Sequence, residues 1–108
     1  MSKISSKVFK LTSQIPEGKV STYGLIAEAI DNKNLSRAVG RILRSNPNPI
    51  TVPCHRVVNS DGRLGGYQGS SPSIEKATLL RSEGIFVTTN YRIPKSNWKN
   101  VLFHSFSE

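Results

Sequence analysis

Residues 46–49 (NPNP) constrain the fold of this chain more than any other short segment. Each proline disfavours the helical conformation of the residue before it, so a helix that reaches this segment must end there. The residues before it show helical periodicity, whereas residues 50–52 lead in an extended conformation into Pro53, and residues 56–58 are typical of a short strand. We therefore predict an α/β fold that is mostly helical, with a short strand segment after the prolines.

Three helices are predicted before the prolines, each from an apolar stripe that recurs with helical spacing. Ser21 or Thr22 is expected to cap the second, and Asn34 the third, which would run from Leu35 to about Ser45. The stripes are Ile4, Val8, Leu11 and Ile15 in the first helix, Leu25, Ile26, Ala29 and Ile30 in the second, and Leu35, Ala38, Val39, Ile42 and Leu43 in the third.

The third predicted helix carries Arg37, Arg41 and Arg44 on the face opposite its apolar stripe. Two short helices joined by a polar turn, here residues 31–34, with the second helix basic on its outer face, are typical of a helix-turn-helix. A solvated charged face on an ordinary helical hairpin is the alternative. No acidic residue lies among the arginines for i,i+4 pairing, and the net charge is +8, so nucleic acid is the favoured partner.

Residues 53–57 (PCHRV) contain the only cysteine among 108 residues. A lone cysteine is most often buried for packing. Here His55 and Arg56 supply a proton acceptor and a positive field that favour the thiolate, so Cys54 is a candidate nucleophile. Successive side chains of an extended chain point to opposite faces, so a sharp turn or a bridging water must connect Cys54 with His55.

A glycine-rich loop, residues 64–72, and a fourth helix follow the predicted strand. The loop either lets backbone amides approach a ligand closely or is merely flexible. Ser73 is expected to cap the helix, with Ile74, Ala77 and Leu80 facing inward and Gly84 at its end. Glu83 lies in the last predicted turn, where the helix dipole disfavours a carboxylate unless a partner compensates.

Composition indicates a single domain over residues 1–108, with residues 94–108 either packed over the core or forming a loose tail. One cysteine excludes an internal disulfide framework and favours a reducing intracellular location, the cytoplasm and nucleoid or a eukaryotic nucleus. No apolar run is long enough to span a bilayer or to serve as a signal peptide. His55, His104 and Cys54 lack the spacing of a zinc site, so no metal and no cofactor are expected.

Four segments, GKVSTYGLIAEAI, SRAVGRILRSNPNPITVPCHRVV, GRLGGYQG and EKATLLRSEG, resemble the C-terminal active-site domain of the O6-alkylguanine-DNA alkyltransferases, or methylated-DNA protein-cysteine methyltransferases. The resemblance covers roughly Val8 to Ile93, and PCHRV preceded by RAVG and NP is highly specific. It implies a winged-helix-like DNA-binding domain that acts as a monomer on double-stranded DNA. It also implies that O6-alkylguanine, chiefly O6-methylguanine, is flipped from the duplex and dealkylated irreversibly in a single turnover.

The resemblance implies catalytic roles for four residues. Cys54 would accept the alkyl group, and His55 would deprotonate it through a bridging water. Glu83 would orient the histidine. Tyr23 would crowd the target phosphate and donate to the flipped base.

The resemblance also implies a set of DNA contacts. Arg37 would intercalate where the damaged guanine has left, with Ala38 beside it at the minor groove. Asn46 would be the hinge between the recognition helix and the active-site strand. Independently of the resemblance, the basic face of the third helix, with Arg41 and Arg44, is expected to hold phosphates. For the substrate pocket the implied residues are Tyr67 as an aromatic lid, the backbones of Val57 and Gln68 against the guanine edge, Lys76 and Pro49.

Two other functions remain open at this point. The first is a non-enzymatic lesion-binding protein that recruits another repair pathway. The alkyltransferase-like proteins act in this way and have another residue in place of the acceptor cysteine. The presence of Cys54 argues against this assignment. The second is a transcription regulator that senses alkylation through its thiol and would prefer one duplex sequence. The family commonly has an additional N-terminal domain, and this chain is expected to lack it.

Overall fold

A computed structural model describes residues 3–65 and 74–107, and within these ranges the chain forms five helices and two short strands. The predicted mostly helical α/β fold is therefore confirmed. The helices are α1 (Lys3–Thr12), α2 (Tyr23–Ala29), α3 (Ser36–Arg44), α4 (Ile74–Ser82) and α5 (Lys95–Val101), the strands are β1 (Ser21–Thr22) and β2 (Val57–Val58), and two 3-10 turns span Lys33–Leu35 and Cys54–Arg56. None of the helices in the described ranges is both long and apolar enough to span a lipid bilayer.

Helix α2 begins where the sequence predicts, and α3 begins later. The Thr22 hydroxyl accepts a hydrogen bond from the Leu25 amide at 3.0 Å, which satisfies one of the orphan donors of α2. The prediction that Asn34 caps α3 is wrong. Asn32 instead accepts from the Asn34 amide at 3.1 Å and caps the 3-10 turn, so α3 starts only after Leu35.

The first three helices enclose the larger of two apolar clusters. It contains Val8, Leu11, Ile26, Val39 and Leu43, each no more than 4% exposed. Most of the predicted stripe residues therefore face the core. The exceptions are Ile4, which is 38% exposed in the first turn of α1, and the half-buried Leu25 and Ala38, which line surface grooves. This packing holds α3 against α1 and α2 with its arginine face directed outward.

Strands β1 and β2 pair in parallel, with Ser21 opposite Val57 and Thr22 opposite Val58. Strand β1 leads directly into α2, and β2 directly follows the turn that carries Cys54. The pairing therefore brings the start of α2 beside the cysteine, although more than thirty residues separate them in sequence.

The second apolar cluster lies between β2, α4 and the segment that leads to α5, and it includes Val58, Leu80 and Ile93. Ile74 was predicted to face inward but is 55% exposed. Helix α4 buries the face that carries Lys76, Ala77 and Leu80, and because successive residues of a helix are rotated by about 100°, Ile74 lies on a different face.

The C-terminal segment is attached by main-chain and side-chain contacts. Val20 donates to the Val101 carbonyl at 2.8 Å and accepts from the Phe103 amide at 2.7 Å. Phe103 and Phe106 stack edge to face with centroids 5.1 Å apart and pack against the first cluster. These contacts cover the core between α1 and α2.

Candidate active site

Cys54 opens a single 3-10 turn, Cys54–Arg56, directly after Pro53. Successive side chains of such a turn diverge by about 120° instead of 180°. The expectation of a sharp turn at this point is therefore confirmed. The Cys54 residue is 6% exposed and lines the wall of a cleft, so its burial is that of a recessed group beside an opening.

This cleft has a volume of about 680 Å³ and separates α3 from the cysteine turn. Arg37, Arg41 and Arg44, all exposed, stand along its α3 wall. The other described lining residues are Tyr23, Ser36, Gly40, Leu43, Cys54, Asn59 and Gly65. A thiol and three guanidinium groups thus share one concave surface, which suits an anionic ligand that carries an electrophile.

His55 and Arg56, which follow the cysteine, both bind Glu83, the residue immediately after α4. His55 Nε2 lies 2.8 Å from Glu83 Oε2. Arg56 donates from Nε to Glu83 Oε1 at 2.9 Å and from Nη2 to Oε2 at 2.8 Å. The acid at the carboxyl end of a helix therefore has the compensating partners that the sequence called for.

The electrostatic balance of this cluster sets the state of the imidazole. Burial raises the pKa of Glu83, but the hydrogen bonds from Arg56 and His55 outweigh burial, and the net pKa is lowered. Burial lowers the pKa of His55, Glu83 opposes this shift, and the net direction is down. An ionised carboxylate only accepts, so a neutral His55 carries its hydrogen on Nε2, and Nδ1 is the nitrogen that can take up a proton.

Lys76 and Tyr23 form the second polar group of the site. Lys76 is 1% exposed, and its Nζ donates to the Val57 carbonyl at 2.6 Å and to the Tyr23 hydroxyl at 3.3 Å. Burial lowers the pKa of Lys76 to about 7, against an opposing effect of a charged Cys54. Burial, followed by the charge of Cys54, raises the pKa of Tyr23 to about 12, so its hydroxyl stays protonated.

The remaining expected DNA-contact residues lie in different environments. Ala38 is half-buried and lines a separate groove of about 490 Å³ between α1 and α3, to which Arg41 also contributes. Asn46 is 3% exposed, and its amide donates to the Val52 carbonyl at 2.8 Å and accepts from the Asn48 amide at 3.0 Å. Asn46 therefore holds the connection between α3 and the cysteine turn and does not present its side chain to solvent.

The expected substrate-pocket residues are only partly brought together. The Val57 carbonyl, expected to read the guanine edge, accepts from Lys76 and keeps one further lone pair. Pro49 is half-buried and is not among the described residues that line the cleft. Tyr67 and Gln68 lie outside the described residues.

Sequence reasoning missed several residues of the site. It identified Arg56 only as a source of positive field, whereas the guanidinium is bound to Glu83. It also passed over Asn59 and Gly65. Gly65 has φ +74°, and a Cβ there would lie 3.2 Å from Asn59 Nδ2 and 3.4 Å from the Tyr23 hydroxyl. The signal for these two was their place at the end of the strand and turn that follow Cys54, where binding residues often occur.

The described residues contain no group of three or more histidine, cysteine, aspartate or glutamate side chains placed to hold a metal ion. The Cys54 thiol and the Tyr23 phenol line the cleft, and behind them lie the His55 and Glu83 pair, next to Cys54 in the chain, and the Lys76 amine, bound to Tyr23.

Comparison with known proteins identifies one family. Residues 3–85 match the family model described as 6-O-methylguanine DNA methyltransferase, DNA binding domain. The methylated-DNA–protein-cysteine methyltransferase of Rattus norvegicus is 42% identical over 78 residues, which are 72% of this chain and 37% of that protein. The chain spans between 30% and 48% of the length of such curated relatives.

Two solved structures resemble the fold closely. Schizosaccharomyces pombe Atl1, in complex with damaged DNA containing O6-carboxymethylguanine, superposes with a TM-score of 0.81 at 29% identity, over 95% of this chain and 96% of that one. Mycobacterium tuberculosis OGT in complex with DNA gives a TM-score of 0.72 at 38% identity, over 78% of this chain and 50% of that one.

Proposed function

Because the chain belongs to the 6-O-methylguanine DNA methyltransferase DNA-binding domain family, we propose that it binds alkylated duplex DNA and transfers the alkyl group from guanine O6 to Cys54. The observation that carries the proposal is the position of Cys54 on the wall of a cleft with three arginines, directly before His55, which is bound to Glu83. In this proposal the chain is one unit that corresponds to the C-terminal active-site domain of the family.

The reaction is an in-line displacement at the alkyl carbon. The Cys54 proton passes through a water to His55 Nδ1, and the thiolate attacks the carbon. The carbon–sulfur bond forms as the carbon–oxygen bond breaks, and the electron pair of the broken bond remains on the guanine. Glu83, bound to His55 Nε2 at 2.8 Å, stabilises the imidazolium that forms.

The leaving guanine needs a hydrogen-bond donor as charge develops on it. The Tyr23 hydroxyl lines the cleft, and with its pKa raised to about 12 it keeps its proton. Lys76 Nζ donates to that hydroxyl at 3.3 Å, which leaves the phenolic hydrogen available for the guanine. The product is a thioether, which is a poor leaving group, so each molecule reacts once.

DNA binding supplies access to the target atom. A guanine in a stacked duplex hides O6 from the cleft, and flipping the base out costs a few kcal/mol. In the proposal Arg37 fills the vacated stack, while Arg41 and Arg44 neutralise phosphates. All three side chains are exposed on the wall of the cleft that contains Cys54.

The test is the intact mass of the protein after incubation with a duplex that contains O6-methylguanine. We expect a gain of one methylene, located on the peptide that contains Cys54. The matched Cys54→Ser variant should bind the same duplex with similar affinity and gain no mass. An unmodified duplex should leave the wild-type mass unchanged.

A second candidate function is lesion binding without transfer. The more complete superposition with Atl1, over 96% of that chain against 50% of Mycobacterium tuberculosis OGT, supports it. Tight binding of the methylated duplex by the wild-type chain with no mass gain would establish this function and exclude transfer.

A further inference from the structure

We propose that Arg56 is a positioning residue for the transfer reaction, because it fixes the Glu83 carboxylate in the orientation that holds His55 toward Cys54. This inference rests on the proposed function for its kinetic consequence. Its structural basis is independent of that function and consists of three hydrogen bonds made by one guanidinium group.

The first element of the argument is the bidentate pair. Arg56 uses Nε and Nη2 for the two oxygens of Glu83, at 2.9 and 2.8 Å, so the plane of the carboxylate is aligned with the guanidinium. The terminal torsion of a glutamate is otherwise broad. Because His55 Nε2 shares Oε2 with Arg56, the alignment also sets the direction from which the imidazole is held.

The second element is an anchor on a different part of the chain. Arg56 Nη1 donates to the Ile15 carbonyl at 2.9 Å, just beyond α1. The Arg56 guanidinium, in the turn that carries Cys54, therefore connects Ile15, which follows α1, with Glu83, which follows α4. A lysine has a single donor head and cannot occupy these three directions in one plane.

The third element is charge. The Arg56 and Glu83 side chains are 16% and 10% exposed, so their interaction is only weakly screened by solvent. Burial is the main cause that lowers the pKa of His55, Glu83 raises it, and the positive charges of Arg56 and Lys76 lower it further. Arg56 therefore offsets part of the effect of the carboxylate and helps burial to keep the imidazole neutral, as a base requires.

Arg56→Gln is the direct test, measured by single-turnover transfer from the methylated duplex and from free O6-methylguanine across a pH series. We expect transfer to slow by about tenfold or more on both substrates, a typical loss for a group that orients a catalytic base. Removing the positive charge leaves the Glu83 carboxylate uncompensated, which raises the pKa of His55. The fall of the transfer rate on the acid side of the pH profile should therefore occur at higher pH. Binding of the methylated duplex should be unchanged.

Arg56→Lys separates orientation from charge. The lysine keeps the positive charge, so the transfer rate should fall on the acid side at the same pH as in the wild type. The transfer rate itself should stay below that of the wild type, because the carboxylate is no longer aligned. This variant also provides the test if the glutamine variant does not fold. A lysine variant with the full wild-type rate would overturn the positioning role.

Arg81→Gln is the matched control, because Arg81 also donates to two main-chain carbonyls, those of Val87 and Thr88 at 3.0 and 3.1 Å. The described contacts of Arg81 include no residue of the cleft. We expect a loss of stability with an unchanged pH profile. If Arg56→Gln behaves in the same way as this control, Arg56 is only a structural brace and the inference is wrong.

Titration of the His55 ring by NMR makes the inference independent of transfer. Arg56→Gln should raise the pKa of His55, and Arg56→Lys should not. If the wild-type chain gains no mass on methylated DNA, the proposed function fails, but a raised His55 pKa in Arg56→Gln would still support the arrangement. An unchanged His55 titration in both variants would overturn it.

Discussion

Replacing Lys76 with methionine should remove a pH-dependent component of stability from this protein. Lys76 is 1% exposed and lies against the Val57 carbonyl and the Tyr23 hydroxyl. Its pKa falls from 10.5 to about 7 because burial penalises the charged amine. Methionine has a similar length and no charge, so it removes the titration while largely preserving the volume.

The direction and size of this pH-dependent change in the free energy of unfolding follow from proton linkage. Between the two pKa values the unfolded chain binds the Lys76 proton more strongly than the folded chain, so the free energy of unfolding rises with pH from about 7 to about 10.5. The slope is about 1.4 kcal/mol per pH unit, so about 2–3 kcal/mol should accumulate between about pH 7.5 and pH 9.5. The ordinary His55 pKa lies below this window, and the Tyr23 titration lies above it.

The assay is urea denaturation across that window, in a Cys54→Ser background so that the thiol does not titrate. The comparison is between Cys54→Ser and Cys54→Ser with Lys76→Met. The charge of Cys54 raises the pKa of Lys76, so its removal should not narrow the pH range between the folded and unfolded pKa values of Lys76. The lysine-containing protein should become more stable with rising pH, and the methionine protein should show a slope smaller by about 1.4 kcal/mol per pH unit.

Equal slopes in the two proteins would refute the reasoning. That result would mean that the buried amine keeps an ordinary pKa, because the Val57 carbonyl and Tyr23 hydroxyl stabilise its charge more than burial opposes it. Lys76 would then be a permanent cation beside the cleft.

Three further predictions concern the DNA-binding face and its connection to the cysteine. Arg37→Ala should slow transfer from the methylated duplex by about tenfold and leave transfer from free O6-methylguanine unchanged, since only the duplex requires a base to be extruded; equal slowing of the two rates, measured in single turnover, would contradict the intercalating role. Arg41→Gln and Arg44→Gln should each reduce the slope of log affinity against log salt by about one, measured by fluorescence anisotropy, and an unchanged slope would remove that arginine from the phosphate contacts. Asn46→Ala should lower the free energy of unfolding by about 1–3 kcal/mol, because it deletes the buried bonds to Val52 and Asn48; a denaturation midpoint within error of wild type would show that the amide does not hold this connection.

Much of the helical architecture was predictable, because it depends on interactions between residues close in sequence. The apolar stripes of α1 to α3 and the Thr22 cap follow from the period of the helix and from the orphan amides at its start. Gly84, with φ +86°, follows α4 as the left-handed end of a helix requires. The wrong cap at Asn34 arose because a neighbouring asparagine offered an alternative cap for a 3-10 turn.

The candidate site was predictable as a set of residue types and only partly as an arrangement. The single cysteine beside histidine and arginine, in the most basic part of the chain, was sufficient to single out Cys54 as a nucleophile. The acid at the end of α4 was noticed as a local conflict with the helix dipole. Neither pattern indicated that Arg56 and His55 would share its carboxylate.

By itself the sequence determined that the segments of α1 to α4 are helical, that the outer face of α3 is basic and that Cys54 is the candidate nucleophile, because periodicity and composition are properties of neighbouring residues. It did not predict α5, which has no apolar stripe of that kind. Only the tertiary structure decided that two-residue strands pair in parallel and bring Tyr23 beside the cysteine turn. It also decided that Arg56 and His55 share the Glu83 carboxylate, where the family resemblance implied only that Glu83 orients His55, and that Lys76 loses its contact with water. These outcomes depend on burial and on hydrogen bonds between distant segments, and the free energy of both exists only once the core has formed.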